Sequence, residues 1–456
     1  MPSAFYGINL ASRALRAFQS GLDITGHNIA NANTVGYNRQ TVGMANVAGI
    51  TQIGLQSFML GAGVDVASVT RARDVFLAMR HQATQADLSR ADAMLGTLQG
   101  IETAINEPST TGVTASLGKL FDAMSALASN PGDHALKGQV QAAGSSLANK
   151  LRTLYRDLNG QIESNGLAVT QTFDRIDELT TQIADLNLQI RQNSGNGATP
   201  NDLLDRRDLL VNELSTLVNI NTQPQQDGTV LVSISGYSVV DYDSAKPIPR
   251  TYNEVTQRIT DPSTGATYAI TGGKLLGLFQ AKEKLTAFQG QLDTLADNLR
   301  TEFNALHAAG TNSLGQTGIN FFNTGTGALD FDLSTEVLAD PEAIATGTSG
   351  RDGDNGTMLA LANLRDAKIV ALGNRTFRGF YGDVVTDVAR AIQTSQDSFS
   401  TQLAVLEQVE AQIQSISGVS LDDEMANMLM YQKSYQAAAR VLSIFDQVTE
   451  DLINLI

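Results

Sequence analysis

Apolar side chains recur at intervals of seven at both ends of this 456-residue chain, and that repetition restricts the ends to helices that need a partner. Near the start, Ile8, Leu15, Leu22 and Ile29 form one row, with Ala11, Phe18, Thr25 and Ala32 three residues on. Near the end, Leu421, Met428, Tyr435, Leu442 and Ile456 keep one register, beside Tyr431, Ala438, Phe445 and Leu452, and Thr449 is the polar member of the main row. Each segment reads as an amphipathic helix of about 30 residues, about 45 Å long. Such a helix is marginal alone, because its stability comes from covering the apolar stripe, and each covered side chain contributes roughly 1.5–3 kcal/mol. The two ends are therefore expected to pair. Charge agrees: residues 1–40 carry Arg13, Arg16 and Arg39 against Asp23, whereas the last helix carries Asp422, Asp423, Glu424, Asp446, Glu450 and Asp451 against Lys433 and Arg440.

The same spacing runs through the middle. Leu278, Leu285, Leu292, Leu299 and Leu306 form one row, and Val385, Ile392, Phe399, Leu406 and Ile413 another. Ile176, Ile183 and Ile190 with Leu179 and Leu186 mark a third helix, and Leu88, Leu95, Leu98 and Ile105 a fourth that closes before Pro108. One stretch departs from this. Residues 224–262 hold Pro224, Pro247, Pro249 and Pro262, and within them Val230, Val232 and Ile234 alternate with Ser233 and Ser235, the period of a half-buried strand. Short strands are also expected at 319–322 and 329–333, inside a loop-rich zone over 310–355. The last helix starts cleanly, since Gly418 ends its predecessor and Ser420 with Asp423 forms a capping pair.

The expected fold is mainly α: an elongated antiparallel helical bundle with paired N- and C-terminal coiled-coil helices and a small β insertion. Residues 1–36 and 420–456 are assigned to a terminal coiled-coil domain, 37–222 and 274–419 to the helical body, and 223–273 to the insertion.

Chemistry is sparse. There is no cysteine, hence no disulfide, thiol nucleophile or cysteine metal site. His27, His81, His134 and His307 stand apart and read as surface or capping residues. The run from Asp352 resembles a calcium loop, but Gly356 falls where a ligand is needed, so a turn is expected. The Asp/Arg-rich run over 201–214 reads as a solvated helix face, with Leu203, Leu210, Leu214 and Leu217 turned inward. With 31 basic against 47 acidic side chains, net charge −16, the surface repels a phosphate backbone. No run approaches the roughly 20 apolar residues of a membrane span, and the amino end carries charges within its apolar pattern, so neither an anchor nor a cleaved secretory signal is expected. No catalytic, cofactor-binding or metal-binding residue is assigned, and neither nucleic acid nor membrane is an expected partner.

Directly after the first helix, residues 28–40 concentrate Asn28, Asn31, Asn33 and Asn38 with Thr34, Gly36 and Tyr37. Such residues form side-chain-capped turns and tolerate left-handed backbone, which suits a joint. This run, placed behind a heptad helix, resembles the signature of the bacterial flagellar axial proteins of the rod, hook and hook-associated group; Asn28, Ile29, Ala30, Asn31, Asn33, Thr34, Gly36 and Tyr37 match it. The helical middle, with 203–220, 271–285 and 417–448, resembles the hook-associated branch, whereas rod and hook members have β-rich middles.

The resemblance implies a structural subunit of the hook–filament junction, exported unfolded by the flagellar type III apparatus without a cleaved signal and working outside the cell. It implies an axial ring of copies, with the hook protein and the third hook-associated protein as neighbours and an export chaperone on the C-terminal helix. The residues expected to carry assembly are Ile8, Leu15, Phe18, Leu22, Ile29, Leu421, Met428, Tyr431, Tyr435, Leu442, Phe445 and Leu452. The terminal helices are expected to be largely disordered in the free monomer and to order on assembly. A hook or distal rod protein, or a non-flagellar coiled-coil scaffold, is the alternative.

Overall fold

The computed structural model describes residues 4–48, 50–52, 58–194 and 199–454. Helix α1 (Ala4–Asn31) leads into two antiparallel strand pairs, β1 (Gln40–Asn46) with β4 (Val64–Arg71) and β2 (Ile50–Gln52) with β3 (Phe58–Leu60). Four helices follow: α2 (Val75–Ile105), α3 (Val113–Ser129), α4 (His134–Ser194) and α5 (Asn201–Leu217). Strands β5 (Asn221–Pro224), β6 (Val230–Ile234), β7 (Tyr237–Asp241) and β8 (Ser244–Ala245) form an antiparallel sheet in chain order. Strands β9 (Thr251–Asn253), β10 (Arg258–Thr260) and β11 (Thr267–Ala269) form another. The chain ends in α6 (Gly273–Ala309), the short α7 (Thr335–Ala339) and α8 (Gly356–Asn363), α9 (Phe377–Ser417) and α10 (Leu421–Asn454). The fold is thus mainly helical with small sheets, as the periodicity predicts.

Two compact units result. The first comprises residues 1–87, 175–248 and 402–456; the second, 88–174 and 249–401.

The second unit has the continuous core. Leu278, Leu285, Leu292 and Leu299 of α6 are all buried, in the row that the sevenfold spacing predicts. Phe303, one turn further on, has the rings of Phe121, Phe321, Phe322 and Phe377 around it at centroid distances of 5.9, 5.9, 5.3 and 6.3 Å. Helix α2 stops at Ile105, ahead of Pro108. The strands expected at 319–322 and 329–333 are not formed; a single bridge joins Phe322 to Leu333. Phe321 and Phe322 are both buried, and both rings pack against Phe303 of α6. The Phe322 backbone is held by α6, while Phe321 O accepts from Ser334 N at 2.9 Å. The Asn304 side chain donates to Phe322 O at 3.0 Å and accepts from Phe322 N at 2.8 Å.

His307 is likewise a core residue, contrary to the surface or capping role expected. It is fully buried, its Nδ1 lies 2.7 Å from Ile319 O, and its Nε2 accepts from Ala345 N at 2.9 Å. That pattern fixes the neutral tautomer protonated on Nδ1, and burial pulls the imidazole down to about 4. In the loop at Asp352, the turn expected there is present. Asp354 accepts from the backbone amides of Thr348, Ser349 and Gly356 at 2.9, 2.8 and 3.0 Å, so its oxygens are spent within the chain.

In the first unit, Val230, Val232 and Ile234 are buried on one face of β6, as their alternation predicts. Ser235 and Gly236, both at positive φ (49° and 93°), make the two-residue turn to β7. Asn187 of α4 ties this sheet down, donating to Val230 O at 2.9 Å and Tyr242 O at 2.6 Å. The β1–β4 pair was not anticipated. A register shift between Gly43 and Met44 and its mixed exposure remove the clean alternation by which strands are read.

Candidate functional site

The terminal helices meet along an antiparallel seam with a strict step. A Cβ on Gly7 would overlap the Phe445 ring; one on Gly21 would lie 2.9 Å from the Tyr431 ring; and Asn28 Nδ2 donates to Glu424 Oε2 at 3.1 Å. Seven residues down α1 are matched by seven up α10, so the same register sets Ala14 opposite Ala438, which is buried. Residues without bulk on α1 therefore receive rings from α10, and the helices approach closely for lack of a Cβ.

The anticipated rows sit around this seam. Ile8, Leu15, Phe18, Leu22 and Ile29 are half-buried on α1, and Met428, Tyr431, Tyr435, Leu442 and Phe445 are half-buried on α10. Leu421 is exposed, and the Leu452 side chain and Ile456 lie outside the described residues. Gly7 and Gly21 were missed, although two glycines fourteen residues apart in a heptad helix are a readable sign of a close helix partner.

The seam ends in the asparagine cluster. Asn28, buried, uses its full hydrogen-bonding capacity: Nδ2 donates to Gln40 O (2.8 Å) and to Glu424, while Oδ1 accepts from Gln40 N (2.9 Å) and from the Tyr37 hydroxyl (2.6 Å). One amide thus pairs α1 with the first residue of β1 and with the first turn of α10. The Tyr37 hydroxyl has one proton, so His27 Nδ1, 3.0 Å away, donates to it. Burial raises the Tyr37 pKa, reinforced by Asp202, Asp205 and Glu424, and keeps the phenol a donor. Asn31 Nδ2 donates to His27 O at 3.0 Å and its Oδ1 accepts from Thr34 Oγ1 at 3.2 Å, closing the helix end; Asn33 is exposed. Gly36 turns the chain at φ 80° with Leu209 against it. Across the joint, Arg39 N donates to Ser417 O at 2.9 Å, and Ser420 Oγ accepts from Asp423 N at 3.3 Å, as the capping pair predicts.

Helix α5 corrects the sequence reading. Leu214 is buried as expected and Asp202 and Arg206 are exposed, but Asp205, Arg207 and Asp208 are buried and Leu209 is exposed. The inward face thus mixes Val211 and Leu214 with charged residues that clamp the joint. Asp205 accepts from Asn38 N (3.2 Å), Asn38 Nδ2 (2.7 Å) and Arg71 (2.7 Å); Asp208 takes Arg71 (3.0 Å), Arg73 (3.2 Å) and Arg207 (3.2 Å). Asn201 Nδ2 donates to Gln40 Oε1 at 3.1 Å and Val69 O at 3.2 Å. Ionic partners distant in sequence leave no periodic signal, so leucine spacing misassigned the face. Among the described residues no group of three or more His, Asp or Glu is placed to hold a metal ion, and no helix is long and apolar enough to cross a membrane. The arrangement binds helices to one another.

Comparison with known proteins agrees with these features. Residues 98–322 match the flagellar hook-associated protein FlgK helical domain, residues 410–455 the flagellar basal body rod FlgEFG protein C-terminal family, and residues 8–38 the flagella basal body rod protein family. The chain is 28% identical to flagellar hook-associated protein 1 of Bacillus subtilis, over 100% of this chain and 99% of that one. It is 26% identical to the proteins of that name from Salmonella typhimurium and Escherichia coli, over 98% of this chain and 99% of each of theirs. The structure of the flagellar hook junction protein FlgK from Burkholderia pseudomallei shares the fold, with a TM-score of 0.65 at 18% identity, over 74% of this chain and 100% of that one. Matched at both helical ends and through its middle, the chain is similar over its whole length to proteins named flagellar hook-associated protein 1.

Proposed function

We propose that this chain is a structural subunit of the hook–filament junction of a bacterial flagellum, and that it polymerises through its terminal helices. One observation carries the mechanism. Helix α10, already covered on one side by α1, still exposes Leu421, Met425, Leu429, Met430, Val441, Ile444 and Val448. Apolar surface of that extent marks an interaction site, and each side chain gains roughly 1.5–3 kcal/mol only when a partner covers it.

On this reading residues 1–36 and 420–456 form the inner, tube-lining domain, 37–222 and 274–419 the wall, and 223–273 a small outer insertion. Copies pack by heterologous contacts repeated around the axis. Ile8, Leu15, Phe18, Leu22 and Ile29, with Met428, Tyr435 and Leu442, line lateral contacts, and the asparagine joint fixes the angle at which the paired helices leave the rest of the chain. The hook protein and the third hook-associated protein are the axial neighbours. An export chaperone covers the C-terminal helix beforehand, and the chain leaves the cell unfolded through the flagellar type III channel. No catalytic or cofactor step is involved.

Deletion of 421–456 tests this. A folded chain that leaves cells with hooks but no attached filaments is the expected result; motile cells carrying the deletion contradict it.

A further inference from the structure

A second feature of the first unit lies away from the helix seam. The start of α2 is capped by Asp74, whose Oδ1 accepts from Phe76 N and Leu77 N at 2.8 and 3.1 Å, and it presents Phe76 to solvent at 71% exposure, with Val75 and Met79 exposed beside it. Val75 and Met79 are also the rim of a cavity of about 220 Å³, whose lining includes Arg71, Arg73 and Arg207. These three guanidiniums are served by two carboxylates, Asp205 and Asp208. All three pair with these carboxylates within 3.2 Å, and Arg73 keeps 24% of its side chain in solvent.

We infer that this arginine-floored, apolar-rimmed cavity receives the first turns of α10 from a second copy of the chain. The inference rests on the assembly reading above and names one of its contacts. The complement is specific. Leu421, Met425 and Leu429, at 49, 53 and 58% exposure, follow one another at steps of four along a single stripe, and Asp422 is exposed beside it. Gln432 and Gln436 continue the same stripe as polar residues, so its apolar part ends after little more than two turns, a length suited to a small cavity. Apolar rim meets apolar stripe, and the part-exposed Arg73 guanidinium meets carboxylate. Because the cavity and the stripe are different surfaces of one chain, the contact is head to tail and repeats from copy to copy.

The full-length chain tests this through charge reversal at Arg73 and Asp422, of which Arg73 keeps a quarter of its side chain in solvent and Asp422 is exposed. In sedimentation velocity of concentrated protein, Arg73→Glu and Asp422→Arg alone each weaken self-association tenfold or more. Mixed in equal amounts they recover it, since each variant's altered surface then faces the other's. Absence of cysteine supplies a direct readout: a Phe76→Cys chain mixed with a Met425→Cys chain gives a disulfide-linked dimer on oxidation, and Phe76→Cys mixed with Ile444→Cys does not. Chains that associate normally with either reversal, or that crosslink through Ile444 instead, overturn the docking site and leave the assembly reading intact. A wild-type chain that never associates overturns both.

Discussion

Two helices with the same sevenfold pattern meet opposite fates. In α6 the row Leu278, Leu285, Leu292, Leu299 is 0–4% exposed, enclosed by its own chain. In α10 the row members Met428, Tyr435 and Leu442 are only half-buried, and Leu421, with Met425, Leu429 and Ile444 off the row, is 49–61% exposed, although the helix is well formed over Leu421–Asn454. Periodicity therefore states that a helix needs covering but not what covers it. The second unit completes its burial within one molecule; the terminal pair is satisfied on the α1 side alone, and on the proposed reading other copies cover the remainder.

Four substitutions or conditions should separate these regions, in descending size of effect. Phe303→Ala in the second unit removes the ring on which four others converge and should lower unfolding stability by about 4 kcal/mol in denaturant titration. His307 should make the same unit sensitive to mild acid. Its folded-state pKa lies below the unfolded value, so its contribution is fully present above pH 6.5 and is lost as pH falls toward 4, about 3 kcal/mol in all. Calorimetry across that range should show the loss in the wild type and flatten it in His307→Gln.

In the joint, Asn28→Asp loses both donated bonds and sets a carboxylate against Glu424, at a cost of about 2–3 kcal/mol and with faster amide exchange at Gln40. Leu429→Ser reverses the usual order of consequence. It should change stability by under about 0.5 kcal/mol while abolishing assembly, read by unfolding and sedimentation side by side.

The legible parts of the fold were those with local causes. Leucine rows gave the long helices, alternation gave β6, Pro108 and Gly418 gave the breaks, and the asparagine run gave the joint's position. What escaped depends on contacts remote in sequence. Arg71 and Asp205 are far apart along the chain yet pair at 2.7 Å, and that pairing turns the charged side of α5 inward. Phe322 takes its backbone hydrogen bonds from the Asn304 side chain, and the Phe321 carbonyl accepts from Ser334 N. Within the site, the asparagines were visible as a group, but the central role of Asn28 follows only from Gln40, Tyr37 and Glu424 converging on one amide.

Amide hydrogen exchange on the dilute chain and on its pelleted polymer offers the most direct trial. Protection across Leu421–Asn454 should be low in the dilute chain and rise by orders of magnitude in the polymer, while α6 stays equally protected in both. A dilute chain whose last helix already exchanges as slowly as α6, with no change on pelleting, would show that those exposed side chains await no partner.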